Sequence, residues 1–200
     1  MNNLKPIEKL ISTLSRLPTI GRRSAERMAL KIARDQAPLV QDLITALREV
    51  SDKISTCSLC GSLTTKDLNP CKLCTDVRRD HLLLCVVEDS SDIIIIESAR
   101  GYRGRYHALM GKISPLRGEG IHNLRIQELI KRIKKEGIKE VILALNTDVE
   151  SDATASFLSD ILSSESVTVS RIAFGLPAGS GIAYSDPVTL TRAIQGRQKV

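Results

Sequence analysis

The chain has 200 residues, of which 42% are apolar and 26% charged, and this composition is typical of a globular protein with a buried core. The longest apolar runs, at 82–87 and 93–96, are far too short to span a bilayer, and the N-terminus lacks the apolar stretch of a secretory signal. These features predict a soluble, cytoplasmic protein with no membrane partner.

The formal net charge of +6 is concentrated in the N-terminal part of the chain. Residues 1–84 hold 14 Lys and Arg against nine Asp and Glu, and residues 16–34 hold six basic side chains and one acid, Glu26. Such a cluster suits a polyanion such as nucleic acid, although a solvated helix face has the same pattern. Because the chain has no Trp, three Tyr and two Phe, phosphate contacts should dominate any single-strand binding.

Residues 1–55 read as a small helical unit. Apolar residues recur at helical spacing over Leu4–Leu17 and Leu39–Ile54, and good helix formers fill Ser24–Ala33. Between the first two helices, Pro18 and Gly21 mark a turn.

The segment from Leu17 to Ala25 resembles the helix-hairpin-helix motif, in which a glycine-containing hairpin offers backbone N–H groups to a DNA phosphate. The motif usually has two glycines around an apolar residue, whereas this chain has Thr19 first and Gly21 second. An ordinary helical hairpin is the alternative interpretation. The resemblance implies contact with DNA regardless of base sequence. The basic residues expected to make this contact are Arg22, Arg23, Arg27 and Lys31.

Four of the five cysteines form two CxxC pairs in a segment, residues 56–80, that has little apolar bulk. The paired residues are Cys57, Cys60, Cys71 and Cys74. This spacing predicts a tetrahedral Cys₄ site for structural Zn²⁺; a redox CxxC or four unrelated thiols are the alternatives. A closed Cys₄ shell leaves no open coordination position, so the metal should organise the segment without catalysing a reaction. Cys85, inside an apolar strand, is expected to be a packing residue.

From Leu82 onward the pattern changes to alternating strands and helices, which favours a mostly parallel α/β sheet. The expected strands are 82–88, 141–146 and 167–174, and the expected helices are 123–135 and 153–162. The run Ile93–Ile96 is ambiguous, because its β-branched residues favour a strand while the preceding Ser-Ser-Asp favours the start of a helix.

Acidic residues follow two of the expected strands. Glu88 ends the first, and Asp148, Glu150 and Asp152 follow the second. This pattern resembles the Toprim domain of topoisomerases, primases and related nucleases, which has one Glu after a first strand and a DxDxE set after a later one. Carboxylates at the ends of parallel strands can bind Mg²⁺, but Asn146 stands in place of the first Asp, and such acids also cap helices. We therefore expect weak Mg²⁺ binding or partner docking here, and no catalysis.

The order of these motifs resembles the RecR family of bacterial recombination mediators across essentially the full length. The segments CVVEDSSDI, NTDVESDATASFL and RIAFGLPAGSGIAYSDP strengthen the match. The resemblance implies a multi-part α/β fold, with a helix-hairpin-helix region at 1–55, a zinc finger at 56–80, a Toprim domain at 81–174 and a C-terminal oligomerisation segment at 175–200. It also implies a helix at 91–99 and a strand at 102–110.

The resemblance implies a non-enzymatic role in recombinational repair of damaged DNA. Family members form ring-like homo-oligomers around DNA and, with RecO and often RecF, help load recombinase onto single-stranded or gapped DNA, so a nucleoid-associated protein is expected. Asn146 matches the family, whereas the chain departs from the common NPTVEGE pattern at Thr147, Asp148, Ser151 and Asp152. The sequence contains no Walker A motif, so any use of ATP would belong to a partner.

Two other functions fit parts of the pattern. A Mg²⁺-dependent Toprim nuclease or topoisomerase-like enzyme is the main alternative, although Asn146 argues against it and the three tyrosines read more simply as packing residues. A zinc-containing transcriptional regulator is the other, and it would leave the Toprim half unexplained.

Overall fold

The computed structural model describes residues 4–34, 38–114 and 124–197, and the chain divides into two compact units, residues 1–54 and 55–200. The fold is mixed α/β, as expected. None of the helices in these described ranges combines the length and apolar character needed to cross a membrane.

The described residues of the first unit form three helices, α1 (Lys5–Leu14), α2 (Arg22–Arg34) and α3 (Leu39–Lys53). Among its described residues, the buried side chains are Ile11 of α1 and Ala25 and Ala29 of α2. The two alanines let α1 and α2 approach closely because they present no bulk at the contact. Helix α3 has no buried residue and leaves much of its apolar face exposed.

The second unit begins with a small zinc-finger-like element. Strands β1 (Ile54–Thr56) and β2 (Leu63–Thr65) pair into a two-stranded sheet, and a single helical turn, α4 (Lys72–Thr75), follows. The first CxxC pair lies between the two strands, and the second lies at α4.

A four-stranded parallel sheet forms the centre of the second unit, in the order β4-β3-β5-β6. Its strands are β3 (Asp80–Val87), β4 (Gly104–Ala108), β5 (Glu140–Ala144) and β6 (Thr168–Arg171). The connecting helices are α5 (Ser90–Ser98), α6 (Ile126–Glu136) and α7 (Val149–Leu162), and a 3₁₀ turn (Ile182–Tyr184) leads to the last helix, α8 (Pro187–Gln195).

The second half of β3, residues 84–87, is buried on both faces of the sheet. Leu84 and Val86 pack into one cluster with residues of α6 and α7, whereas Cys85 and Val87 point to the other face, where the zinc-finger cysteines and α5 pack. This alternation explains the nearly continuous hydrophobic sequence of the strand, since a central parallel strand is covered on both sides. Cys85 is a buried packing residue, as its sequence context indicated.

Aspartate caps decide where two helices begin. Asp89 accepts a hydrogen bond from the Ser91 amide at 2.8 Å, and Asp92 reaches back to the Asp89 amide at 2.9 Å, which makes the ambiguous Ile93–Ile96 run part of α5. Asp148 accepts from the Ser151 amide at 3.0 Å, so α7 starts at Val149 and not at residue 153 as the pattern predicted.

Candidate metal centre and nucleic-acid interface

The four paired cysteines come together in one buried cluster. Their Sγ atoms all lie within 4.8 Å of one another; Cys57 and Cys74 are 3.9 Å apart, and Cys60 and Cys71 are 3.5 Å apart. A tetrahedral shell with Zn–S bonds of about 2.3 Å has sulfur–sulfur separations of about 3.8 Å, so the four thiols fit a closed metal centre. Across residues 4–34, 38–114 and 124–197, this is the only group of three or more Cys, His, Asp or Glu close enough to hold a metal ion.

Backbone geometry supports the sulfur cluster. The Cys71 amide donates to Cys57 Sγ at 3.3 Å, and the Ser62 amide donates to Cys60 Sγ at 3.4 Å. Gly61 adopts a positive φ of 80°, and a Cβ at that position would lie 2.4 Å from Nη1 of Arg125. Only glycine therefore fits the turn that follows the first CxxC pair.

The thiols are electrostatically coupled. The hydrogen bond with the Cys60 thiol lowers the pKa of Cys71, and the same contact raises the pKa of Cys60. The cluster therefore favours a thiolate at Cys71. A divalent metal would displace the remaining thiol protons and bring four thiolates together.

Helix α6 ties the cysteine cluster to the sheet through two arginines. Arg132, only 5% exposed, lies 4.0 Å from Cys74 Sγ and donates to the Tyr106 carbonyl at 2.6 Å. Arg125, at the start of α6, donates to the carbonyls of Ser58 and Leu59 at 3.0 and 3.1 Å. Four thiolates around one divalent metal carry a net charge of −2, so the buried Arg132 guanidinium partly offsets that charge.

Glu88, the first Toprim acid, is engaged by the residue that replaces the usual aspartate. It is 7% exposed and accepts hydrogen bonds from the backbone amide and the Nδ2 of Asn146, both at 2.8 Å. An amide at this position donates to Glu88, whereas an aspartate would repel it. Glu88 and Asn146 therefore form a hydrogen-bonded pair.

An ammonium group stands beside the next two acids. Lys112 Nζ lies 2.7 Å from Asp148 Oδ2 and 3.3 Å from Glu150 Oε2, and the Ser114 hydroxyl also donates to Glu150. The hydrogen bond from Lys112 lowers the pKa of Asp148 to about 2. Lys112 thus offsets part of the negative charge of these two acids.

The last acid, Asp152, anchors the C-terminal segment. It accepts from Arg171 at 2.6 Å and from Arg192 of α8 at 3.0 Å, and both guanidinium groups stack over the Phe174 ring at 4.6 and 5.1 Å. Asp148 and Glu150 share Lys112, whereas Glu88 and Asp152 have other partners, and the four carboxylates do not meet around one point. Whether they bind Mg²⁺ stays a prediction.

The hairpin of the first unit places its basic residues on an exposed surface. Thr19 has a φ of 65°, a left-handed conformation at the position where the motif usually has its first glycine. A Cβ at Gly21 would meet nothing within 4 Å, so the backbone there is open to a close approach. Helix α2 begins at the next residue, and the first N–H groups of a helix have no acceptor within it.

The predicted DNA-contacting side chains follow directly from this turn. Arg23, Arg27 and Lys31 are exposed and spaced four residues apart, so they share one face of α2. Arg22 is also exposed and lies 3.5 Å from Glu8, in an ion pair too solvated to hold it firmly. The arrangement can bind several neighbouring phosphates.

Several residues of these sites carried no recognisable motif. Arg132 sits at the core-facing spacing of α6, between Leu129 and Ile133, and a charged residue in such a position is the one signal that could have indicated it. Lys112 and Arg171 had no such signal, because their contacts join residues 36 and 19 positions apart.

Comparisons with known proteins agree with the motif order. Family models match the helix-hairpin-helix of RecR over residues 7–51, the Toprim domain over 83–173 and the C-terminal region of RecR over 175–198. Relatives named Recombination protein RecR include those of Moorella thermoacetica, 46% identical over 98% of both chains, and Cutibacterium acnes, 46% identical over 98% of this chain and 96% of the relative. The Desulforudis audaxviator relative is 42% identical over all of both chains.

Proposed function

The chain belongs to the RecR family of recombination proteins, and from this we propose that it binds DNA without sequence preference and acts with RecO, and often RecF, to help load recombinase onto single-stranded or gapped DNA. The observation that carries the proposal is the exposed basic face of α2 beside the Thr19–Gly21 hairpin. Side chains on such a face contact phosphates and carry no base readout.

The DNA contact is tested with Arg23→Ala/Arg27→Ala and a matched control, Lys131→Ala/Lys135→Ala, which removes the same charge from the exposed side of α6. Fluorescence anisotropy with a labelled random-sequence oligonucleotide gives the affinity as a function of salt. Each lost single-strand phosphate contact lowers the log–log salt slope by about 0.7, so the hairpin variant should lose about 1.4 per bound chain. Equal slopes for the hairpin variant, its control and the wild type would reject the assignment.

A homo-oligomer is part of this proposal. The apolar face of α3 is exposed, with Leu47 and Val50 at 68% and 59%. Contiguous apolar surface of this kind is typical of protein–protein contacts. A second copy of the chain, with the C-terminal segment 175–200 as a further contact, would cover it, and light scattering of Leu47→Glu should show a smaller assembly.

We also propose that the metal is zinc and that the Toprim acids do not cleave DNA. The cysteine geometry supports zinc, and the pairing of Asp148, Glu150 and Asp152 with basic side chains supports a non-enzymatic site. A supercoiled plasmid incubated with the protein and Mg²⁺ should stay intact. Nicking that disappears in Glu88→Gln would establish the nuclease alternative instead.

A further inference from the structure

A pocket lined by four arginines lies where β3 and β4 begin. Its arginines are Arg78, Arg79, Arg100 and Arg103, and its acids are Asp76 and Glu97. The strands of the sheet are parallel, so the pocket lies at their N-terminal ends, whereas the Toprim acids follow their C-terminal ends. The eight residues of β3 span roughly 25 Å between these two ends, so the pocket is distinct from the acidic site.

At the floor of the pocket, an ion pair and several hydrogen bonds hold the side chains in place. Arg79 pairs with Glu97, donates to the Gly104 carbonyl at 2.8 Å and stacks over the Tyr106 ring at 5.6 Å. Tyr106 in turn donates to Glu97 at 2.5 Å. These contacts neutralise Glu97 and hold the guanidinium of Arg79 in place. Its buried Nε still has no hydrogen-bond acceptor among the described residues.

The positive charge that a ligand could reach is carried by arginines at the rim of the pocket. Arg100 and Arg103 are exposed, and no described residue forms an ion pair or side-chain hydrogen bond with either of them. Arg78 pairs with Asp76 but keeps 84% of its side chain exposed. With four cations against two anions, the lining has a net charge of +2. Each guanidinium also presents a planar fork of donors that matches a phosphate.

We propose that this pocket is a second phosphate-binding site, which takes backbone phosphates of nucleic acid through Arg100 and Arg103. Its volume of about 270 Å³ lies just below the roughly 300–1,000 Å³ of pockets for drug-sized ligands, and so suits a small anionic group. The site extends the proposed DNA binding from the helical unit to the second unit, and it rests on that function. A DNA strand would then be held at two separate basic surfaces of the chain.

The test uses Arg100→Asn/Arg103→Gln in the full chain. Asparagine is chosen at residue 100 because the backbone there has a φ of 55°, which Asn tolerates better than most residues. The control, Lys131→Gln/Lys135→Gln, removes the same charge from the same unit at exposed positions outside the pocket. Zinc content and melting temperature are compared first. If the double variant has a lower melting temperature than the wild type, the binding measurement is made with Arg103→Gln alone.

Binding of a labelled single-stranded oligonucleotide is then measured against salt. The loss of two phosphate contacts should lower the salt slope by about 1.4, which corresponds to roughly 25-fold weaker binding at 0.1 M salt if the affinities converge at 1 M. A slope and an affinity equal to those of the control pair would overturn the proposal.

The hairpin variant Arg23→Ala/Arg27→Ala separates the proposed DNA contact at the hairpin from the proposed phosphate site in the arginine pocket. If only that variant weakens binding, the hairpin assignment holds and the second site is rejected. If only Arg100→Asn/Arg103→Gln weakens it, the second site holds and the hairpin assignment fails. Competition with inorganic phosphate distinguishes the source of the ligand: free phosphate that displaces DNA at low millimolar concentration would assign the pocket to small anions and overturn the nucleic-acid reading.

Discussion

The two units of the chain are stabilised in different ways. The second unit has two buried clusters, a candidate metal centre and buried polar groups such as Glu88, His107 and Arg132. The first unit has only Ile11, Ala25 and Ala29 as buried side chains among its described residues, and it leaves the apolar face of α3 exposed. The unit with the smaller core carries the hairpin and the exposed face of α3, to which part of the proposed DNA and subunit contacts is assigned.

Removal of a cysteine ligand should have the largest effect, and it should act on the second unit. Structural zinc contributes on the order of 10 kcal/mol of binding free energy in zinc-finger peptides, so Cys74→Ser should lose the metal and disorder residues 56–80. Elemental analysis and limited proteolysis measure both effects. The helices of the first unit should keep their circular dichroism signal.

Cys85→Ser is the matched control for this prediction, because Cys85 is equally buried but lies outside the sulfur cluster. It should lower stability moderately, since it buries a hydroxyl, and still hold one zinc per chain. A Cys74→Ser protein that keeps a full equivalent of zinc and an unchanged proteolysis pattern would show that the second unit does not depend on the metal.

A buried histidine should make the second unit sensitive to acid. His107 in β4 is fully buried, and its Nε2 donates to the Arg125 carbonyl at 2.8 Å. Burial lowers its pKa to about 3, from an ordinary value of about 6.5. Between these values the unfolded chain binds a proton that the folded chain excludes, so stability falls as the pH drops through this window and is retained above it.

The loss between pH 7 and pH 5.5 should be about 1 kcal/mol. Urea unfolding at the two pH values measures it. His107→Gln cannot take up the proton and should remove this dependence, whereas His81→Gln, at an exposed position, should leave it in place. An equal pH dependence in the His107→Gln protein would contradict the assignment.

Local sequence patterns predicted much of this fold because local physics determines those parts. Helical spacing placed α3 within one residue of its observed end, and the apolar run at 82–87 lies inside β3. The CxxC spacing predicted the sulfur cluster, since each pair is brought together by its own turn. Boundaries were less accurate: the strands expected to end at 146 and 174 end at Ala144 and Arg171.

Contacts between distant residues could not be predicted in the same way. Nothing in the sequence around Lys112 indicates that its ammonium group meets Asp148, because the loop that carries it must first be placed by the sheet. The same holds for Arg192 and Asp152, which are 40 positions apart. These ion pairs set the charge around the Toprim acids, and the motif alone gave no indication of them.

The smallest predicted effect belongs to the first unit and concerns the hairpin backbone. Thr19 holds a φ of 65°, which costs a β-branched residue about 1–2 kcal/mol, and glycine would remove that strain at the expense of a larger entropy loss on folding. Thr19→Gly should therefore stabilise the unit by about 0.5–1 kcal/mol, as measured by thermal unfolding. Thr13→Gly, near the end of α1, is the matched control and should destabilise it by about 0.3 kcal/mol, since no positive φ is relieved there. DNA affinity should hold or increase in Thr19→Gly because the motif then has both glycines. If this variant melts below the wild type, the Thr19 side chain makes contacts that outweigh its strain, and the first unit is better packed than its three buried residues indicate.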